Sequence, residues 1–299
     1  MTLGSNGTAP VSVACVGDVM LDVIVSAPSG LVPDDDTPAG ITFAAGGQAA
    51  NVAAWVTALG GTARVIGPRS TRDHGPLVLS VLQARGVEMR GPQVDRAGAV
   101  MSLVGSGTRS MASDAGDTTW LTRLDPADLP ERLDWLFVSG YALLRCPTPW
   151  VVSAFVAAAR ERGAKVAIDL ASAAMVTSYG AGRFRELCQS LEPAVVFGND
   201  AEWAALSSGP GTTGSAGTFG PGGRTVQVLK HGPRGATFVI DGVSDDRAPG
   251  AGPVVDVTGA GDALTAGYLV GGADLAMTTA ARCVGLVGAQ PVGQPGAER

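Results

Sequence analysis

Aromatic residues are scarce in this chain, 5% of its 299 residues, and there are only two histidines, His74 and His231. Two histidines so far apart in sequence point to no zinc site. The four cysteines (Cys15, Cys146, Cys188, Cys283) are scattered, without a CxxC pair or metal-ligand spacing. They read as small buried hydrophobes of a reducing compartment. Basic blocks are missing as well. With 21 Lys and Arg against 27 Asp and Glu the net charge is −6, which argues against nucleic acid or an anionic membrane as main partner. No apolar window runs long enough to span a bilayer before Gly, Ser or a charge breaks it. Met1–Pro10 is polar and Gly-rich, without the basic-then-apolar order of a signal peptide. A soluble, cytoplasmic protein is expected.

What is plentiful is glycine, 43 residues, set at the ends of short apolar runs. The length suffices for a substantial core, in one large α/β domain or two smaller ones. Val11–Val16 is a buried-strand pattern ending in Gly17-Asp18, and Val19–Ser26 continues extended. Ile41–Ala45 reads as a short strand before Gly46-Gly47, and Ala49–Leu59 has helical spacing stopped by Gly60-Gly61. Ala63–Gly67 is a strand and Leu77–Arg85 a helix. The alternation goes on through Leu136–Gly140, Trp150–Arg162, Val166–Leu170, Phe184–Leu191, Val195–Phe197 and Ala201–Leu206. Such alternation predicts a mainly parallel sheet covered by helices on both faces. Two regions, 19–43 and 94–120, break the rhythm with strand-like runs and no helix. They suit a small antiparallel sheet projecting from the main body, or an ordinary pair of surface hairpins. The Gly/Ser/Thr-rich stretch 207–223 reads as a flexible loop. His74 is expected at the surface and His231 in a loop.

The segment richest in chemistry is Asp256-Val257-Thr258-Gly259-Ala260-Gly261-Asp262, which follows β-branched Val254 and Val255 and leads into a helical run, Ala263–Val270. Successive Gly-Ala-Gly amides at a helix N-terminus form a positive concavity suited to phosphate oxygens. A carboxylate beside them, Asp262, can take the proton of a hydroxyl as it attacks phosphorus. The bland role for Asp262 is a favourable first-turn acid. Upstream, Gly46-Gly47-Gln48-Ala49-Ala50-Asn51 puts paired glycines before a helix, with Asn51 able to read hydroxyls or to serve the helix terminus. Asn199-Asp200-Ala201-Glu202 opens another helix, and its i, i+3 spacing is also a plain capping arrangement.

Together these segments resemble the two signatures of the ribokinase-like (PfkB) carbohydrate and nucleoside kinases, and the resemblance runs over nearly the whole chain. It implies a three-layer α/β/α domain over residues 11–296, with a β lid from 19–43 and 94–120 that covers the sugar site and makes the contact of a homodimer. Residues 1–10 and 297–299 are then flexible tails. It implies an ATP-dependent kinase acting on a hydroxymethyl group of a sugar or nucleoside. Asp262 is then the general base, and the amides of Gly259, Ala260 and Gly261 hold the transferring phosphoryl group. Asp22, in Gly17-Asp18-Val19-Met20-Leu21-Asp22, resembles the family's sugar-binding acid, joined by Gly46, Gly47 and Asn51. On the nucleotide side the resemblance assigns Asn199, Glu202, Thr258 and the Lys-x-Gly-x-x-Gly turn of Lys230, Gly232 and Gly235. Adenine then lies between the segment after Gly232 and a C-terminal helix, Met277–Ala289. Glu202 holds Mg²⁺ through water, and Asp256 is a ligand of the monovalent cation, K⁺, that many relatives need.

The chain departs from the family in places. Met20 stands where ribokinases often have Asn, which favours an acceptor with an apolar part, such as the base of pseudouridine, over free ribose; a plain ketose or aldose stays open. After Asp169 the usual Asp-Pro-Asn-x-Arg is replaced by Asp169-Leu170-Ala171-Ser172-Ala173, which argues against an anionic acceptor anchored by that Arg. Ser70 replaces a glycine of the N-terminal signature. The alternative reading is a catalytically silent member that binds a sugar or nucleotide as a regulator, which has no need of an acid at 262. A dinucleotide-dependent oxidoreductase lacks its G-x-G-x-x-G turn after the first strand.

Overall fold

The computed structural model describes residues 9–105, 108–208 and 225–291. The stretch expected to be a loop, 207–223, lies outside the described residues except for Ser207 and Ser208, as do most of both tails. The first strand, β1 (Ser12–Val16), is buried along its whole length, as its unbroken apolar run requires of a central parallel strand. β2 (Met20–Ser26) and β3 (Gly40–Gly46) leave the main body, and α1 (Gln48–Ala58) returns to it. Then follow β4 (Thr62–Ile66), α2 (Gly75–Ala84), β5 (Glu88–Arg90), β6 (Gly98–Gly105) and β7 (Thr108–Asp114). The second half begins with β8 (Trp135–Ser139), α3 (Gly140–Arg145), α4 (Pro149–Glu161) and β9 (Lys165–Asp169). It continues through α5 (Ala173–Tyr179), α6 (Ala181–Ser190), β10 (Val195–Asn199) and α7 (Asp200–Ser207). β11 (Val226–Lys230), β12 (Ala236–Ile240), β13 (Val243–Arg247) and α8 (Ala260–Val284) complete the chain.

The large sheet has the order β13-β12-β11-β10-β9-β8-β1-β4-β5, parallel except for the last two pairings at the β13 edge. Alternate side chains of each strand feed two cores. Val13, Cys15, Phe137 and Phe197 face α1, α2 and α8, whereas Ala14, Val16, Val138 and Val196 face the helices of the second half. Three layers follow from that alternation. Chain order reverses between β1 and β8, the crevice where ligands of such sheets bind. The small sheet, β3-β2-β6-β7, consists of two antiparallel pairs joined by a parallel pairing of β2 with β6. Trp120, at the end of the span expected to form the lid, is instead fully buried in the core beneath α4.

Several local expectations are corrected. The short helices α3 and α5 lie in segments without clear periodicity. Val254, Val255 and Val257 belong to no strand and are exposed. The last helix ends at Val284, not Ala289, and bends at Gly271 and Gly272, whose backbone is non-helical. A Cβ on Gly267 would lie 2.6 Å from the Leu275 carbonyl oxygen, so the second half folds back closely on the first. His74 is only half exposed, because its Nε2 meets the Gly98 carbonyl at 2.9 Å. Among the described residues no helix is long and apolar enough to cross a membrane.

Candidate active site

A cavity of about 320 Å³ opens at the carboxyl ends of β1, β8, β9, β10 and β11, under the small sheet. Its floor is the N-terminus of α8. Gly259 takes a left-handed conformation (φ 74°), and a Cβ there would sit 2.6 Å from Ala289, so only glycine closes this turn. Asp256 shapes the turn: its Oδ1 accepts from the Thr258 amide (2.9 Å) and hydroxyl (2.6 Å), and its Oδ2 accepts from the Gly288 amide at 2.9 Å. The Ala260 amide reaches the Val257 carbonyl at 3.3 Å and is therefore partly engaged within the turn. Thr258, Gly259 and Asp262 line the cavity.

Asp262 is a strongly perturbed acid of the cavity. Burial, with Asp169 and Asp22 adding repulsion, pushes its carboxyl up to about 7, against the opposing hydrogen bond from Asn51 and the charge of Lys230. A carboxyl poised near neutrality is suited to accept a proton and release it again. Asn51 is buried within α1 rather than capping it, and its Nδ2 donates to Asp262 Oδ2 at 2.8 Å.

A second wall of the cavity comes from the small sheet and from the turn before α1. Asp22, Val100 and Ser113 are lateral neighbours in register and share the face that lines the cavity. Gly46 is not itself on the wall, but a Cβ there would fall 2.1 Å from Asp22 Oδ1, so its lack of a side chain is what admits the carboxylate. Gly47 (φ 92°) lies on the wall, where a Cβ would strike the Asp18 carbonyl at 2.2 Å.

On the opposite side, Lys230 Nζ pairs with the buried Asp169 Oδ2 at 2.7 Å, and lies 3.2 Å from where a Cβ of Gly261 would be. Burial works against the Lys230 charge, but Asp169 and Glu202 outweigh it and hold the ammonium above the ordinary lysine value. Glu202 and Asn199 form a full capping box at the start of α7: Asn199 Oδ1 accepts from the Glu202 amide (2.9 Å), and Glu202 Oε2 accepts from the Asn199 amide (2.8 Å). Glu202 nevertheless lines the cavity, and burial followed by Asp169 raises its carboxyl above the usual range. Asn199, Gly232, Gly235 and Asp256 do not reach the cavity wall. Gly235 is required by its own turn, where a Cβ would meet the Arg247 carbonyl oxygen at 2.0 Å.

Sequence reasoning missed a second pair of charges. Arg145, on α3, forms an ion pair with the buried Asp18 and stacks on the Tyr141 ring, and all three line the cavity. Burial raises the Asp18 carboxyl, with Arg145 pulling the other way. Asp18 was visible as a polar break after a buried strand, but α3 carries no signal that would send Arg145 to it. Arg145 also supplies a guanidinium to a cavity that lacks the Arg expected after Asp169. Ala171, within that altered segment, is held at φ 67° against the cavity, where a non-glycine residue costs about 1–2 kcal/mol.

The model of the pfkB family of carbohydrate kinases matches residues 11–299. The chain belongs to that family. It is therefore an ATP-using phosphotransferase acting on a sugar or nucleoside. An ATP-dependent ribose-1-phosphate kinase of Halopiger xanaduensis is 30% identical over 239 residues, 75% of this chain and 72% of that protein. The structure of adenosine kinase from Sinorhizobium meliloti superposes with a TM-score of 0.76 at 23% identity, over 95% of this chain and 97% of its own. The Burkholderia thailandensis nucleoside kinase in complex with inosine gives 0.74 at 17%, over 95% and 94%. These two likenesses describe the fold.

Proposed function

We propose that the protein transfers the γ-phosphoryl group of ATP to the hydroxymethyl group of a ribosyl compound, with Asp262 as base. The observation that carries this reading is the half-buried Asp262 carboxyl at the Gly-Ala-Gly end of α8, in the same cavity as Asp22 and Lys230. Asp22 and Asn51 orient the acceptor, and Asp262 takes the hydroxyl proton. The acceptor oxygen bonds to the γ-phosphorus as the bond to the β–γ bridging oxygen breaks, and ADP leaves. The amides of Gly259 and Gly261, with Ala260 contributing weakly, face the charge that develops on the phosphoryl oxygens. Lys230 adds a fixed positive charge beside them.

The donor set fits Mg–ATP, since Glu202 offers one carboxylate and Mg²⁺ keeps most of its waters. Glu202 would hold the ion through water, and the ion would supply positive charge against the transferring phosphate. K⁺ beside Asp256 belongs to the same proposal, where it would steady the turn that Asp256 ties to Gly288.

For the group on the ribosyl C1, the cavity lining suits two candidates. Met20, buried and lining the cavity, suits a nucleobase such as that of pseudouridine. Arg145 suits a C1 phosphate, the acceptor in the name of the Halopiger relative. A free ketose or aldose uses neither residue. The reading includes a homodimer through the lid, supported by Ile41, Phe43 and Met101, exposed apolar residues on the sheet face opposite Asp22. The test is ADP release with Mg²⁺ and K⁺ across ribose, fructose, adenosine, pseudouridine and ribose 1-phosphate. Turnover confined to ribosyl compounds with a C1 substituent is expected; turnover only on the free sugars rejects the reading.

A further inference from the structure

Gln290 is buried on the turn that follows α8, and no step above uses it. Its Nε2 donates to Asn51 Oδ1 at 3.0 Å, and Asn51 Nδ2 donates in turn to Asp262 Oδ2 at 2.8 Å. The order of atoms in this chain is forced. An ionised carboxylate only accepts, so it requires the NH₂ end of Asn51. The carbonyl end of Asn51 then faces Gln290, which must meet it with its own NH₂. Reversing either amide would set oxygen against oxygen.

The backbone around Gln290 is pinned on both sides. Trp55 Nε1 donates to the Ala289 carbonyl at 2.9 Å, Arg85 Nε to the Pro291 carbonyl at 3.3 Å, and the Gly288 amide to Asp256 at 2.9 Å. The remaining atom of the Gln290 amide, Oε1, is buried without a hydrogen-bond partner. An apolar side chain of the same length would fill this space with no unmet carbonyl, so packing alone does not account for an amide here.

We propose that Gln290 is a positioning residue: it locks the Asn51 amide with its NH₂ toward Asp262, which keeps the base ionised and aimed. The inference rests on the reading of Asp262 as the base. The other charged or titratable groups that face Asp262 are Asp22 of β2, Asp169 of β9, Lys230 of β11, Tyr141 of α3 and Cys283 of α8. Gln290 makes no hydrogen bond to any of these, so its effect on Asp262 runs through Asn51.

The test is the titration of the Asp262 carboxyl, followed by NMR of protein with ¹³C-labelled aspartate carboxyls. The signal is assigned by its loss in Asp262→Asn, and kcat is measured against pH on whichever acceptor the panel shows to turn over. Gln290→Met keeps the volume but frees the Asn51 amide to rotate. The midpoint of Asp262 is then expected to rise by about one pH unit, which leaves about tenfold less ionised base below it. Activity returns to the wild-type level at high pH. Gln290→Glu, of nearly identical shape, attracts the Asn51 NH₂ and turns its carbonyl to Asp262, raising the midpoint at least as far; it carries the test alone if the Met variant does not fold. In an Asn51→Ala background the uncharged Gln290→Met change should not move the midpoint further. An unmoved midpoint, a kcat lowered equally at every pH, or a further shift by Gln290→Met in the Asn51→Ala background overturns the proposal. Near-full activity in Asp262→Asn overturns the reading of the base as well, whereas an inactive Asp262→Asn with an unmoved midpoint in the Gln290 variants overturns the positioning role alone.

Discussion

Replacing Asp262 by asparagine keeps the shape of the side chain and lets its Oδ1 go on accepting from Asn51 Nδ2, while removing the charge and the proton acceptor. Two effects of opposite sign follow. As base, Asp262 must be ionised, so activity should rise with pH through a midpoint near 7. The Asn variant should lose roughly 10²–10⁴-fold of kcat, the usual contribution of a positioned base, with ATP binding little changed. For stability, a carboxyl with an ordinary value of 3.8 that is pushed up to about 7 by burial binds its proton more tightly folded than unfolded. Its contribution to wild-type stability is therefore full below the ordinary value and is lost as pH rises through about 7. The gap between the two values corresponds to about 4 kcal/mol at most. Asparagine is neutral throughout, so the variant should gain nothing over wild type near pH 4. By pH 8 it should gain up to about 4 kcal/mol, or about 8 °C in Tm for a chain of this size. Thermal melts at pH 4, 6 and 8, with kcat from coupled ADP release, measure both. Near-full activity, or a stability difference that does not change with pH, would refute the reasoning.

Three further outcomes are expected. Gly46→Ala places a methyl where Asp22 Oδ1 would be 2.1 Å away; the displaced carboxylate should raise the acceptor KM at least about tenfold, the scale of one charge-assisted hydrogen bond, and leave the ATP KM unchanged. Arg145→Met removes the cavity's guanidinium and strands the buried Asp18. If a C1 phosphate is the group Arg145 serves, kcat/KM for ribose 1-phosphate should fall by about 10²-fold, as loss of a charged contact does, and that for a nucleoside by much less; equal losses would assign Arg145 to supporting Asp18. Phe43→Asp introduces a charge on the outer face of the lid, where Phe43 is 58% exposed. Sedimentation should then show monomer where the wild type sediments as a dimer, and a wild-type monomer would remove the lid contact from the proposal.

The periodic strands and helices were legible in the chain because burial imposes a pattern on neighbouring residues: an unbroken apolar run along β1, small residues along α1, a glycine just past the ends of α1, α2 and α4. The turn from Asp256 to Asp262 was legible for the same reason, since this glycine-rich helix start is made within seven consecutive residues. The short α3 was not, because a helix of six residues is too brief to establish a period. The pairings that tune the cavity lay beyond pattern altogether. Asn51 and Asp262 are 211 residues apart, Asn51 and Gln290 239, and Asp18 and Arg145 127. Nothing local distinguishes Asn51 reading a sugar hydroxyl from Asn51 aligning a carboxylate, as its side chain is competent for both. Local sequence determined which groups the site contains; which of them touch, and so the proton affinity of Asp262, was decided when the sheet order brought α1, α8 and the turn after it together in a low-dielectric interior, where burial and one aligned amide outweigh any propensity.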